Sequence, residues 1–176
     1  MSFTYRDAGV ADAAEVQAVF IESFDGVFRH LYDPADYDYF IAKLGVDAFA
    51  RELADPAYAF RVAETGGRIV GFCKLGPPSL PYDPSGRTCI ELRQLYLLDE
   101  AKGTGIAATL TDWAVAEARR RGAVELWLSV FSDNHRARRF YAARGFAEVG
   151  EFKYMVGNHA DDEILCQLKL DARAHG

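Results

Sequence analysis

A chain of 176 residues, half of it hydrophobic and about a quarter charged, has the length and balance of one folded domain with a substantial core. A net charge of −6 argues against general nucleic-acid binding, and no apolar run approaches the roughly 20 residues that cross a bilayer. The opening MSFTYRDAG lacks the basic and apolar regions of a secretory signal, and Cys73, Cys89 and Cys166 sit in apolar segments with no C-x-x-C pairing, which reads as buried reduced thiols in a cytoplasmic protein.

Phe3–Arg6 alternates like a short strand. Asp12 offers a helix N-cap and Glu15 completes a capping-box pattern, with Val16, Val19, Phe20 and Phe24 at helical spacing behind them, so a helix is expected over 12–24. Asp33-Pro34 starts further helix, interrupted near Gly45 and ending before Asp55-Pro56. Tyr58–Glu64, Gly66-Gly67 and Ile69–Leu75 read as a β-hairpin, and the proline-rich stretch 76–87 as a loop. Thr88–Leu98 reads as a central strand. A helix follows over 104–121, with Ile106, Leu110, Trp113 and Ala114 on one face. Val124–Phe131 is then a strand, 134–144 a helix, Phe146–Val156 a strand, 157–162 a loop and Glu163–Leu170 the last strand. No repeat, linker or low-complexity tract divides 1–176, so it reads as a single domain. Only part of the sheet has the helical crossovers that parallel pairing needs, so a mixed α/β sheet of six or seven strands flanked by about four helices is expected.

Charge is unevenly spread. Residues 1–60 carry eleven acidic and four basic side chains, whereas the remainder is close to neutral. Asp25, Asp33, Asp36 and Asp38 could draw a cation, and Lys102, Arg119–Arg121, Arg136, Arg138 and Arg139 a polyanion; the simpler alternative is a solvated surface.

The most informative segment is Lys102-Gly103-Thr104-Gly105-Ile106-Ala107, between a strand and an amphipathic helix. Its glycines permit backbone conformations barred to other residues, and the first helical N–H groups lack partners at the positive end of the macrodipole. Together they form a ready site for a diphosphate. The alternative is that the glycines only ease a tight strand-to-helix connection. Gly103 to Ala108 also fits the dinucleotide pattern G-x-G-x-x-A, but four residues separate it from the strand, and only about 70 residues remain for further βαβ units. No G-K-[ST] follows, which excludes a P-loop. No H-E-x-x-H, G-x-S-x-G or clustered Cys/His set is present; His159 with Asp161 and Asp162 reads as a polar turn sooner than a metal site, and no metal is expected.

The segment 91–107, ELRQLYLLDEAKGTGIA, resembles the acyl-CoA motif [Q/R]-x-x-G-x-[G/A] of the GNAT superfamily of N-acyltransferases, with Lys102 in place of Gln or Arg. Residues 134–146, NHRARRFYAARGF, are similar to the family's N-x-x-A-x-x-[F/L]-Y-x-x-x-G-F signature. The two stand in the family's order, and the overall look is nearest to bacterial small-molecule or polyamine-type members.

This resemblance implies an acetyl-CoA co-substrate and direct transfer of the acetyl group to a primary amine. The backbone at Leu95 and Leu97 would pair with the pantetheine arm, the Leu97 N–H polarising the thioester carbonyl. Gly103, Thr104, Gly105, Ile106 and Ala107 would hold the pyrophosphate beside Lys102, and Asn134 would hydrogen-bond the pantetheine. Tyr141 would protonate the departing thiolate, its alternative role being to pack beside Phe140 and Phe146. Glu91 would deprotonate the amine through water, or else bind the substrate cation or remain solvated. A small-molecule amine is the expected partner, without nucleic acid or membrane; homodimers are frequent in the family. Acetylation of protein amines, or non-catalytic sensing of acyl-CoA, are the alternatives.

Overall fold

In the computed structural model, which describes residues 1–170, hydrophobic alternation and helical periodicity divide the chain into twelve main elements. They are β1 (Thr4–Asp7), α1 (Ala13–Phe28), α2 (Pro34–Ala42), α3 (Val46–Ala54), β2 (Ala59–Thr65), β3 (Arg68–Gly76), β4 (Cys89–Leu97), α4 (Ile106–Arg120), β5 (Glu125–Phe131), α5 (His135–Ala143), β6 (Ala147–Val156) and β7 (His159–Lys169). The strands form one mixed sheet in the order β1-β2-β3-β4-β5-β7-β6. Only β4 and β5, joined through α4, run parallel.

Apolar residues at helical spacing bury one stripe of α1, from Val16 through Phe24, against the sheet. Phe20 meets Tyr96 of β4 edge-on at 5.1 Å, and Phe49 of α3 meets Phe72 of β3 at 6.3 Å, so α1 and α3 cover the same face. The opposite face carries α4. Close approach there requires glycine at 71, where a Cβ would stand 3.3 Å from the Tyr96 carbonyl oxygen and 3.6 Å from Ile106.

Register shapes the centre of the sheet. Leu75 pairs with Leu92 but Lys74 with Gln94, leaving Arg93 as an extra residue in β4. Such a bulge bends the strand that carries it. Parallel pairing with β5 spans only Cys89–Glu91 against Glu125–Trp127, while β5 stays paired to β7 along its whole length. Beyond Glu91 the two central strands therefore part, and a slot opens between them.

Two local expectations change. Asp12 makes no side-chain cap on α1; its carboxylate accepts the Gly9 N–H at 2.8 Å and two bonds from Arg6 at 2.9 Å each. Glu15 accepts instead from the Ile69 N–H at 2.8 Å. A single helical turn over Val10–Asp12 precedes α1, so Asp12 lies in that turn and reaches back to its start. The expected loop over 157–162 shrinks to Gly157-Asn158, because His159 to Asp162 pair with Val156 to Lys153 and extend β7 toward its N-terminus.

Candidate active site

The slot is bounded on one side by β4 backbone. The Leu98 N–H donates to the Val70 carbonyl at 2.9 Å, so Leu98 and Tyr96 direct their backbone groups to β3. By alternation, the amides of Leu95 and Leu97 face the slot. The Leu97 carbonyl is already occupied, accepting from Ser23 Oγ at 3.1 Å.

At the end of β4 the chain makes a single turn over Asp99–Ala101 and enters the glycine segment. Gly103 and Gly105 adopt φ of +74° and +89°, in the left-handed region where a side chain is strained, and the space where a Cβ would project is open at both. Thr104 Oγ1 donates to the Ala101 carbonyl at 2.5 Å and pins the turn. Gly105 caps α4 without a side chain, so the first helical N–H groups lack partners and can meet an anion. Lys102 leans on Asp99 at 2.6 Å.

On the far side of the slot, Asn134 caps α5 by accepting the Ala137 N–H at 3.1 Å, which leaves its NH2 as a donor. One helix face carries Asn134, Ala137 and Tyr141 toward the slot. The Tyr141 ring packs edge-on to Phe140 and Phe146, at 5.2 and 5.5 Å, and burial pushes its phenol well above the ordinary value. It is thus a reluctant acid that stays protonated until a strong base develops beside it.

A cavity of about 400 Å³ runs through the slot to the face covered by α1. Phe28, Tyr32 and Phe40 wall it from the helices, and Tyr96, Tyr154 and Glu163 from the sheet. The same cavity thus touches the β4 edge, Tyr141 and the space under α1 and α2.

Glu91 is placed differently from the expectation of a water-linked base. Its carboxylate is fully buried and accepts from the Ser79 N–H and Oγ, both at 2.8 Å, and from the Leu80 N–H at 3.0 Å. Arg93 Nε lies 3.5 Å away. Those bonds tie down the loop after β3, whose Tyr82 stacks on Trp127 at 4.0 Å, and occupy the lone pairs a base would need. Glu91 is a structural brace.

Besides Glu91, and Glu52 of α3, which is paired with Lys74 at 2.6 Å, the cavity is lined by two carboxylates from β7. Asp161 is buried, accepting from Tyr32 Oη, with His159 Nε2 3.2 Å from its other oxygen. Glu163, two residues on and on the same face, makes no ion pair or side-chain hydrogen bond among the described residues. Burial first, and Asp161 second, push its carboxyl up to about 7. Asp161 was hidden because 157–162 reads as a polar turn, and Glu163, though read as the start of the last strand, was not singled out; the signal was the alternation of Ala160, Asp162 and Ile164 with Asp161, Glu163 and Leu165.

The charge asymmetry resolves into structural work. Asp33 caps α2 through the Ala35 N–H at 2.9 Å, Asp36 accepts the Asn158 N–H at 3.1 Å, and Asp25 pairs with Arg29. Arg120 and Arg121 grip Glu117 at the far end of α4, about 20 Å from the glycine turn at 1.5 Å per residue. Arg121 also donates to the Pro56 carbonyl at 2.8 Å, and Arg138 is paired with Glu148.

A mixed sheet with splayed central strands, a glycine turn at a helix N-terminus beside the slot, and a tyrosine facing it from the next helix define an acyl-transfer fold. The sequence profile of the acetyltransferase (GNAT) family matches residues 18–146. An uncharacterised N-acetyltransferase of Mycobacterium tuberculosis is 36% identical over 92% of this chain and 99% of its own length. The aminoalkylphosphonate N-acetyltransferase of Salmonella typhimurium is 29% identical over 81% of this chain and 91% of its own. The PaiA N-acetyltransferase of Thermoplasma acidophilum, solved with coenzyme A, superposes with a TM-score of 0.76 at 21% identity, over 96% of this chain and 99% of that one. The chain belongs to the GNAT acetyltransferase family, and it is an acetyltransferase.

Proposed function

We propose that the chain works as one N-acetyltransferase domain that carries an acetyl group from acetyl-CoA directly to the primary amine of a small molecule. The observation that carries this reading is that one cavity joins Leu95 of β4, Asn134 and Tyr141 of the α5 side, and an aromatic-walled space beside α1 and α2. Acetyl-CoA supplies an activated thioester when bound. Gly103, Thr104, Gly105, Ile106 and Ala107 present their N–H groups to its pyrophosphate, with Lys102 adding charge at the rim. The amides of Leu95 and Leu97 hold the pantetheine arm along the edge of β4, and the Leu97 N–H faces the carbonyl oxygen, where negative charge develops. The NH2 of Asn134 holds the arm from α5. Tyr141 keeps its proton until sulfur begins to leave as thiolate, then gives it up.

An acceptor end walled by Phe28, Tyr32, Phe40 and Tyr154 favours a compact amine over a protein chain. Thiol release from acetyl-CoA, followed across small primary amines and across peptides with free N-termini and lysines, tests this reading. Small amines are expected to be turned over faster; a preference for peptides would overturn the acceptor class. Replacing Tyr141 by Phe should lower kcat by about 10²-fold or more with coenzyme A affinity unchanged. A Tyr141→Phe variant with undiminished kcat would remove Tyr141 from the chemistry.

A further inference from the structure

We propose that Glu163 of β7 takes the proton from the incoming ammonium group, and that the acceptor is a small primary amine with a compact apolar body; both rest on the acetyltransferase reading above. Glu163 pairs with Phe131 on one side and Phe152 on the other, at the level where β4 and β5 have already separated. Its side chain stands on the cavity wall, facing Tyr96 across the slot. It therefore lines the same cavity as Leu95 and Tyr141.

The groups around Glu163 leave it alone in being free to act. From β7 it faces Asp161, but that carboxylate is held by Tyr32 and His159. From β6 comes Tyr154, from β4 Tyr96 and, farther off, Arg93, which donates to the Pro77 carbonyl at 2.6 Å and leans on Glu91. From the turn after α1 comes Tyr32. The walls from α1, α2 and β5 include the rings of Phe28, Phe40 and Phe131, and the buried lysine on the same cavity, Lys74 of β3, is paired with Glu52 of α3 at 2.6 Å. A half-buried carboxylate without a partner is costly, and an ammonium ion is the ligand that offsets the cost. Aromatic faces also attract a cation and accommodate an apolar body. No cation of the chain reaches Glu163 among the described residues, so the position is open to one from outside.

An alkylammonium ion cannot attack until it loses a proton. Glu163 takes one proton from it, and the freed lone pair forms the new C–N bond. As the C–S bond breaks and its electron pair leaves on sulfur, Tyr141 gives its O–H proton to the sulfur and regains a proton from the nitrogen. Glu163 then passes its proton to solvent, and the balance is amide, thiol and one proton. Burial that lifts the Glu163 carboxyl to about 7 suits this exchange near neutral pH.

The test compares the full chain with Glu163→Gln, using benzylamine, an ammonium ion at neutral pH, and O-benzylhydroxylamine, a free base there. Glu163→Gln is expected to lower kcat/KM for benzylamine by about 10²-fold at pH 7 while leaving O-benzylhydroxylamine close to the unaltered enzyme. The deficit on benzylamine should shrink as pH rises and the amine deprotonates by itself. Calorimetry gives a second readout without turnover: benzylamine should bind the unaltered protein about tenfold tighter at pH 8 than at pH 6, and Glu163→Gln with no such change. Equal losses on both amines, or an unaltered pH dependence of binding in Glu163→Gln, would overturn the role of Glu163 and leave acetyl transfer standing. Failure of benzylamine to bind at millimolar concentration would overturn the substrate class. Failure of coenzyme A to bind would instead overturn the acetyltransferase reading beneath it.

Discussion

Glu91 and Glu163 line the same cavity, and their surroundings give them opposite duties. Glu91 is saturated by Ser79, Leu80 and Arg93, whereas Glu163 has no such partner among the described residues. The sequence places Glu91 on the right strand and the right face, but it cannot show that the loop after β3 folds back onto the carboxylate, since that contact depends on the path of eleven intervening residues. Replacing Glu91 by Ala would strand two backbone N–H groups and a hydroxyl and leave Arg93 without its counter-ion. We expect a loss of about 3 kcal/mol of stability, read from the midpoint of urea unfolding. The opposite outcome, full stability with turnover lost, would return Glu91 to the chemistry. The placement of Tyr141 was legible for the contrary reason: its motif spacing puts it two turns along the same helix face from Asn134, a local relation that survives any tertiary arrangement.

Elements were legible where periodicity and punctuation agree, and less so where charge masks a strand. Gly66-Gly67 marks the β2–β3 turn, and Asp33-Pro34 the start of α2 with the expected cap. The β6–β7 hairpin was read as too short because His159, Asp161 and Asp162 look like loop residues, yet β7 lies between β5 and β6, and pairing on both edges overrides propensity. Its two-residue turn is also the anchor of α2. Gly157 has φ of +60°, and a Cβ there would stand 2.7 Å from the Cβ of Asp36, whose carboxylate takes the Asn158 N–H. Gly157→Ala combines left-handed strain with that collision, and neither partner can move without freeing the other. A destabilisation of about 2 kcal/mol is expected, with a raised KM for the amine because α2 roofs the acceptor end. Thermal unfolding and amine titration check the two parts; an unchanged KM would separate α2 from the acceptor space.

For the molecule as a whole, the succession of elements along the chain and the class of fold followed from short-range signals, whereas the slot followed from register. One extra residue at Arg93 and three parallel pairs between β4 and β5 decide where the sheet opens, and neither is visible as composition or spacing. Net charge by halves was a poor guide for the same reason: most acidic side chains of the first half are spent on caps and ion pairs, and the one left unpaired in the cavity arrives from the second. That placement has a thermodynamic consequence for the entire fold. Glu163 has a native pKa of about 7 against an ordinary value of 4.5, so between these two pH values the folded chain holds a proton that the unfolded chain has lost. Unfolding then releases a proton, and stability falls as pH rises through this window; below about 4.5 the group contributes nothing, and above about 7 the full cost applies. A displacement of this size corresponds to about 3 kcal/mol at 1.36 kcal/mol per unit. Glu163→Gln removes the ionisable group, so it should raise stability by about that amount at pH 8 and by little at pH 4.5, while other carboxylates, such as Glu117 held down to about 2 by Arg120 and Arg121, titrate outside the window. Urea unfolding of the two proteins across pH 4.5 to 8 measures the difference. A constant gap between them at all pH values would mean that Glu163 is solvated like any surface carboxylate, and a narrowing gap with rising pH would mean that a cation neutralises it in the folded chain.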